Sequence, residues 1–165
     1  MILYHGTIFE SWEKIYNSGK LKVATKENTP YFNEKRYATK YGYVYLTDNV
    51  IDAIEYAAGA LGARKSRNER DFLVVVKVNV SENELTEDET DNANGRMPLT
   101  NKNGKSYKTK RDISLDEIEK IMIFYESYVS ACCKWVDVLL EKPELENEIK
   151  WIEPTLDKKQ LSHLE

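Results

Sequence analysis

Cysteine and histidine are nearly missing from this chain, with two of each in 165 residues. Cys132 and Cys133 are neighbours, where a disulfide would be strained, so no disulfide framework is expected and both read as packing residues. With His5 and His163 as the only histidines, no recognisable spacing supplies a zinc site, and no metal is expected. Long apolar runs are lacking too, since none approaches the roughly 18 residues needed to cross a bilayer. The opening Met-Ile-Leu-Tyr-His-Gly has no basic leader region. A cytoplasmic protein with no membrane partner is the expectation. Positive charge is not in excess: 24 Lys and Arg face 28 Asp and Glu, a net charge of −4, which leaves no overall field to gather nucleic acid. Internal repeats and low-complexity tracts are absent as well.

What the chain does contain is the composition of one ordered domain spanning 1–165: 41% hydrophobic and 32% charged, with 11 tyrosines among its aromatics. Residues 2–6 form a short apolar run ending at Gly6 and read as a buried strand. A helix follows, with Thr7 and Glu10 at capping-box spacing, Phe9, Trp12, Ile15 and Tyr16 on one face, and Gly19 placed to end it. Residues 20–42 are polar and interrupted by Pro30, which predicts a long loop of the kind that covers sites. Val44–Thr47 is a second strand, and Asp48 or Asn49 caps a second helix whose face is Ile51, Ile54, Ala58 and Leu61, ending at Gly59 and Gly62.

Phe72–Val80 is the clearest strand, a continuous apolar run that becomes alternation at Val76, Val78 and Val80 with Lys77 and Asn79 on the opposite face, and is expected to lie centrally. The acidic run from Glu82 to Asp91 reads as a solvated, mobile excursion extending to residue 106. Ser114 and Glu117 are spaced to cap a short turn, Ile121–Tyr125 is a last strand, and Tyr128, Cys132, Trp135 and Leu139 mark a helix before Pro143. Residues 126–165 are therefore expected to be a helical C-terminal extension. Several short strands with helices at the ends of a sheet predict an α+β fold. Arg64, Lys65, Arg67 and Arg70 read as a solvated basic cluster.

One constellation carries chemistry. Leu3-Tyr4-His5-Gly6-Thr7, then Val44-Tyr45-Leu46-Thr47-Asp48, then Tyr56 eleven residues after Tyr45 resemble the first two motifs of the His-Tyr-Glu class of ADP-ribosyltransferases, the group of the diphtheria-type toxins and the poly(ADP-ribose) polymerases. The likeness is specific over residues 2 to about 60 and extends over 72–125 only in the order of strands.

The resemblance implies a split sheet of short strands and a substrate, NAD. His5, Gly6, Thr7, Tyr45 and Tyr56 would bind it: Gly6 through its main-chain N–H and C=O to the nicotinamide carboxamide, His5 to the adenosine ribose, and the two tyrosines on either side of the nicotinamide ring. Thr7 serves equally well as a helix cap. Breaking the nicotinamide–ribose bond passes through an oxocarbenium-like state, so orientation and charge stabilisation are what the protein must supply.

The family's third motif places a Glu near the position of Thr109, with Lys108, Lys110 and Arg111 beside it. No Glu stands there. His5, Tyr45 and Thr109 are thus the candidate catalytic positions, and Glu117, Glu119, Glu82 or Glu84 would serve only in another register. The resemblance implies transfer of a single ADP-ribose to a protein or nucleic-acid acceptor, as in toxins and phage or defence effectors, with a cognate antitoxin or inhibitor as a further partner. An NAD-dependent RNA 2′-phosphotransferase shares the His-Gly-Thr strand, but carries histidine where this chain has Tyr-Leu-Thr. A non-catalytic module that binds NAD or ADP-ribose fits the missing Glu.

Overall fold

The computed structural model describes residues 1–29, 40–62, 72–94, 104–124 and 150–157. The chain is α+β, and every strand pair described is antiparallel. In chain order come β1 (Ile2–Ile8), α1 (Phe9–Ser18), β2 (Lys20–Leu21), β3 (Val44–Thr47), α2 (Val50–Gly62) and β4 (Leu73–Asn79). A 3-10 turn (Glu82–Glu84), β5 (Thr86–Glu87), α3 (Glu89–Asn94), β6 (Ser106–Thr109), β7 (Ile113–Ser114), a second 3-10 turn (Leu115–Glu117) and β8 (Ile118–Phe124) follow. The main sheet has the order β5-β6-β3-β1-β4-β8, and β2 pairs with β7 apart from it. No described helix is long and apolar enough to cross a membrane.

Strand β4 has both edges paired, to β1 and β8, and both faces covered, by the α1-side and α2-side cores, so Val74, Val75, Val76 and Val78 are fully enclosed. Alternation then separates two cores. Leu3, Val74, Val76 and Val78 meet Trp12 and Ile15 of α1, together with Val44 and Leu46. Ile8, Leu73, Val75 and Met122 meet Val50, Ala53, Ile54 and Ala57 of α2. The two faces of the sheet are thus an α1 face and an α2 face.

Helix α1 departs from its expected start. The N-cap is Ile8, with no side-chain cap, because β1 continues through Thr7 and Ile8 and the Phe9 N–H is already satisfied by the Phe72 carbonyl at 2.9 Å. Thr7 therefore belongs to the strand and does not cap. Gly19 does end the helix, in the left-handed conformation at φ 73°, with its N–H on the Tyr16 carbonyl. Asn49 starts α2: its Oδ1 accepts from the N–H groups of Ile51 and Asp52 at 2.9 and 3.2 Å. Gly59 does not break that helix, which runs on to Gly62.

Two further expectations change. The acidic stretch is a 3-10 turn, the short strand β5 and helix α3, and it buries Asp88 and Asp91 at 4% and 1% exposure instead of leaving them in water. Residues 150–157 of the supposed helical extension form no helix. Ile152 makes an antiparallel bridge to Ile121 on the free edge of β8, Trp151 stacks on Tyr4 at 5.7 Å, and the Thr155 carbonyl accepts from Trp12 Nε1 at 3.0 Å. The segment closes an edge that would otherwise expose unpaired backbone groups. The helix predicted around Tyr128 and Trp135, both cysteines, His163, the Arg64–Arg70 cluster and the stretches 30–39 and 95–103 of the two predicted loops lie outside the described residues.

Candidate functional site

The register of β1 against β4 fixes which way each peptide group of β1 points. Phe9 N–H donates to Phe72 O at one end of the ladder, and Val80 N–H donates to Met1 O at the other. In an antiparallel ladder the bonded residues alternate, so the odd residues of β1 direct their backbone to β4 and the even ones, Tyr4 and Gly6, direct theirs to β3.

Yet β1 and β3 register through a single pair, Tyr4 with Thr47. The next rung would join Gly6 to Tyr45. Instead the Tyr45 carbonyl accepts from the His5 ring, with Nδ1 at 2.9 Å. A carbonyl can only accept, so Nδ1 is the donor in this contact. The sheet splits here, and the N–H and C=O of Gly6 face the split side by side.

The approach of α2 requires glycine at this position. A Cβ on Gly6 would stand 1.8 Å from the Ala53 carbonyl oxygen and 2.8 Å from the Ala57 nitrogen. The consequence for the site is that the Cα of Gly6 is clamped while its peptide groups remain turned to β3.

Tyr45 lies on the α2 face, since its neighbours Val44 and Leu46 enter the α1-side core. Its hydroxyl donates to the Lys40 carbonyl at 2.9 Å and accepts from the Lys40 N–H at 2.8 Å, and its ring is tilted beside Tyr43 at 6.0 Å. Tyr56, on α2, donates its hydroxyl to Asp91 Oδ2 at 2.6 Å. Asp91 Oδ2 also accepts from Ser106 Oγ, on the same face of β6 as Lys108. Lys108 stands opposite Tyr45, with its ammonium 3.6 Å from Asp88 and 5.3 Å above the Tyr43 ring.

His5 and Thr7 alternate with Gly6 and project with Leu3 toward the α1 side, His5 partly exposed and Thr7 buried at 6%, whereas Gly6 at the split and Tyr45 and Tyr56 on the α2 side are partly exposed. Thr109 does not join the tyrosines. It pairs with Val44, is 2% exposed, and sits on the opposite face of the sheet, at the floor of an open groove of about 410 Å³ that Glu84, Leu85 and Arg111 also line. The β6 side chains that do share the face of Tyr45 are Ser106 and Lys108.

Glu117 is committed elsewhere. Arg111 grips both of its oxygens at 2.9 and 2.6 Å, and the N–H and Oγ of Ser114 each donate to Oε2 at 2.9 Å, completing the capping box that the Ser114–Glu117 spacing predicts. Glu84 takes the other side of the Arg111 guanidinium. The Arg111 hydrogen bonds, aided by Ser114 and opposed by desolvation, lower the Glu117 carboxyl from 4.5 to about 2. A folded value below the ordinary one means that Glu117 contributes its full stability above pH 4.5 and loses it as pH falls from there through about 2. Glu117→Gln is therefore expected to flatten the fall of the urea midpoint over that window, and slopes equal to the wild type would overturn the assignment.

Sequence reasoning missed Asp88, Asp91, Ser106 and Lys108. The signal was available in part, because Asp88 and Asp91 are at i, i+3 and would share one face of any helix starting there. Among the described residues no group of His, Cys, Asp and Glu is placed to hold a metal ion.

No family model matches the chain, and no curated protein matches it. Among solved structures, protein CC0527 of Caulobacter crescentus and a double mutant of the same protein are similar at a TM-score of 0.42 and 12% identity, over 74% of this chain and 85% of theirs.

Proposed function

We propose that the chain binds NAD at the β1/β3 split and transfers one ADP-ribose to a protein or nucleic-acid acceptor in the cytoplasm. The observation that carries this reading is the orientation of Gly6. A primary carboxamide offers one C=O and one N–H side by side, and a single extended residue whose rung is missing presents the complementary N–H and C=O on one edge. Tyr45 and Tyr56, on the α2 side of that edge, would flank an aromatic ring, and His5, held by the Tyr45 carbonyl, would meet a ribose hydroxyl. The chain's contribution is then mainly orientation, which can lower a barrier by several kcal/mol.

A carboxylate at the third-motif position would be needed to activate the hydroxyl of an attached unit for elongation, and Thr109 is both neutral and buried. One unit per acceptor site is the expected product. The same two facts, with Glu117 locked to Arg111, favour a second reading in which the split binds NAD or ADP-ribose without turnover.

One experiment separates the readings. Purified protein is incubated with NAD and cell lysate, nicotinamide release is followed, and acceptors are weighed by intact-mass spectrometry. Release with single-unit adducts supports the transferase, and Tyr45→Ala should abolish it. His5→Ala should weaken NAD binding by roughly 1–3 kcal/mol in calorimetry, the cost of a lost hydrogen bond in a partly buried site. Binding without release points to the non-catalytic module. Ladders of adducts on one site would refute single transfer, and absence of NAD binding would remove both readings.

A further inference from the structure

We propose that Asp91 is a positioning residue for this site, acting through the Tyr56 hydroxyl to make that ring an electron-rich seat for a positively charged pyridinium. The inference rests on the NAD reading above and deepens it by saying which redox form of the dinucleotide the site prefers.

The geometry begins with α3, which the acidic composition of its segment disguises as loop. Asn92 ties it to β6 in both directions: its Oδ1 accepts from the Ser106 N–H at 2.7 Å, and its Nδ2 donates to the Ser106 carbonyl at 3.2 Å. The Asp88 N–H donates to the same carbonyl at 2.8 Å. So anchored, α3 places the Asp91 carboxylate, 1% exposed, between β6 and α2, where Oδ2 accepts from Ser106 and Tyr56 together.

A neutral amide or hydroxyl would suffice to hold two hydroxyl groups, and burying a carboxylate is the costlier solution. What the carboxylate adds is electron density. At 2.6 Å the Tyr56–Asp91 contact lies in the range of charge-assisted O–H···O⁻ bonds, in which the carboxylate polarises the phenol O–H and pushes electron density toward the ring. The negative face of the ring is thereby strengthened, and with it the attraction for a cation resting on that face. Oxidised NAD carries a cationic pyridinium, while NADH presents a neutral ring of nearly the same outline. Charge is therefore the property that this arrangement reads.

Calorimetry with NAD and with NADH tests it on the full chain. The wild type should bind NAD more tightly than NADH. Asp91→Asn keeps an acceptor for Tyr56 but removes the charge, and should weaken NAD binding about tenfold while leaving NADH within about twofold. Tyr56→Phe, which keeps the ring and loses the hydroxyl, should do the same and serves if Asp91→Asn does not fold. A merely structural role predicts equal losses for both dinucleotides, and that result, or no loss at all, would overturn the proposal while leaving the dinucleotide site standing. A wild type that binds neither dinucleotide overturns the NAD reading and this inference with it.

Discussion

Gly6→Ala is expected to cost about 3 kcal/mol of stability, the upper end of overpacking effects, and to lower the thermal midpoint by roughly 6–12 °C for a domain of this size. The new methyl would meet the Ala53 carbonyl at 1.8 Å and the Ala57 nitrogen at 2.8 Å, and both are backbone atoms within α2 that cannot rotate away. The helix must lift from β1, which opens the core formed by Val50, Ile54, Leu73 and Val75. The site suffers with the fold, because Tyr56 rides on the displaced helix. Gly19→Ala provides the contrast: nothing lies near its Cβ, so only the left-handed conformation at φ 73° is penalised, at about 1 kcal/mol. Thermal unfolding followed by circular dichroism should rank the two in that order, and equal midpoints would show that α2 yields more easily than its packing implies.

Trp12→Ala should be more damaging still, at about 3–5 kcal/mol, the usual range for emptying the site of a buried Trp. Trp12 is wholly buried at the centre of the α1-side core, edge-on to Tyr16 at 5.8 Å. Its indole N–H also holds the Thr155 carbonyl, so the substitution both leaves a cavity and frees the 150–157 segment from α1. Trp12→Phe separates the two effects, since it keeps most of the ring volume and loses only the donor, for about 1 kcal/mol. Urea midpoints give the energies, and limited proteolysis within 150–157 reports the release. Protection of that segment in Trp12→Ala equal to the wild type would mean that the Ile121–Ile152 bridge and the Tyr4–Trp151 stack hold it unaided.

The elements that could be read in advance are those whose signals are local. The helical spacing of Trp12, Ile15 and Tyr16, the stop at Gly19, the Asn49 cap and the Ser114–Glu117 capping box involve partners a few residues apart, where chain connectivity itself limits the alternatives. The Val-rich run of β4 belongs with them, because a strand buried on both faces needs no alternation to be recognised. Thr7 shows how such a signal fails: a strand pairing from Leu73, distant in sequence, satisfied the Phe9 neighbourhood first and left the hydroxyl no helix to cap.

For the site, the sequence by itself determined which residue types were available: His5 and Gly6 at one strand, Tyr45 and Tyr56 eleven residues apart, and no Glu beside Thr109. Only the tertiary structure decided what each could do. The turning of Gly6's peptide groups toward β3 depends on the register of β4, a strand about 70 residues away, and the missing rung depends on where β3 diverges. That Gly6 is a glycine at all answers to the backbone of α2. The burial of Asp91 follows from hydrogen bonds that span 35 residues to Tyr56 and 15 to Ser106, and the i, i+3 spacing of Asp88 and Asp91 does not by itself tell a carboxylate so held from its solvated neighbours in the same acidic run. Pairings across a sheet and between layers are chosen by the packing of the whole domain, since each residue's burial is set by partners that its own stretch of sequence does not contain.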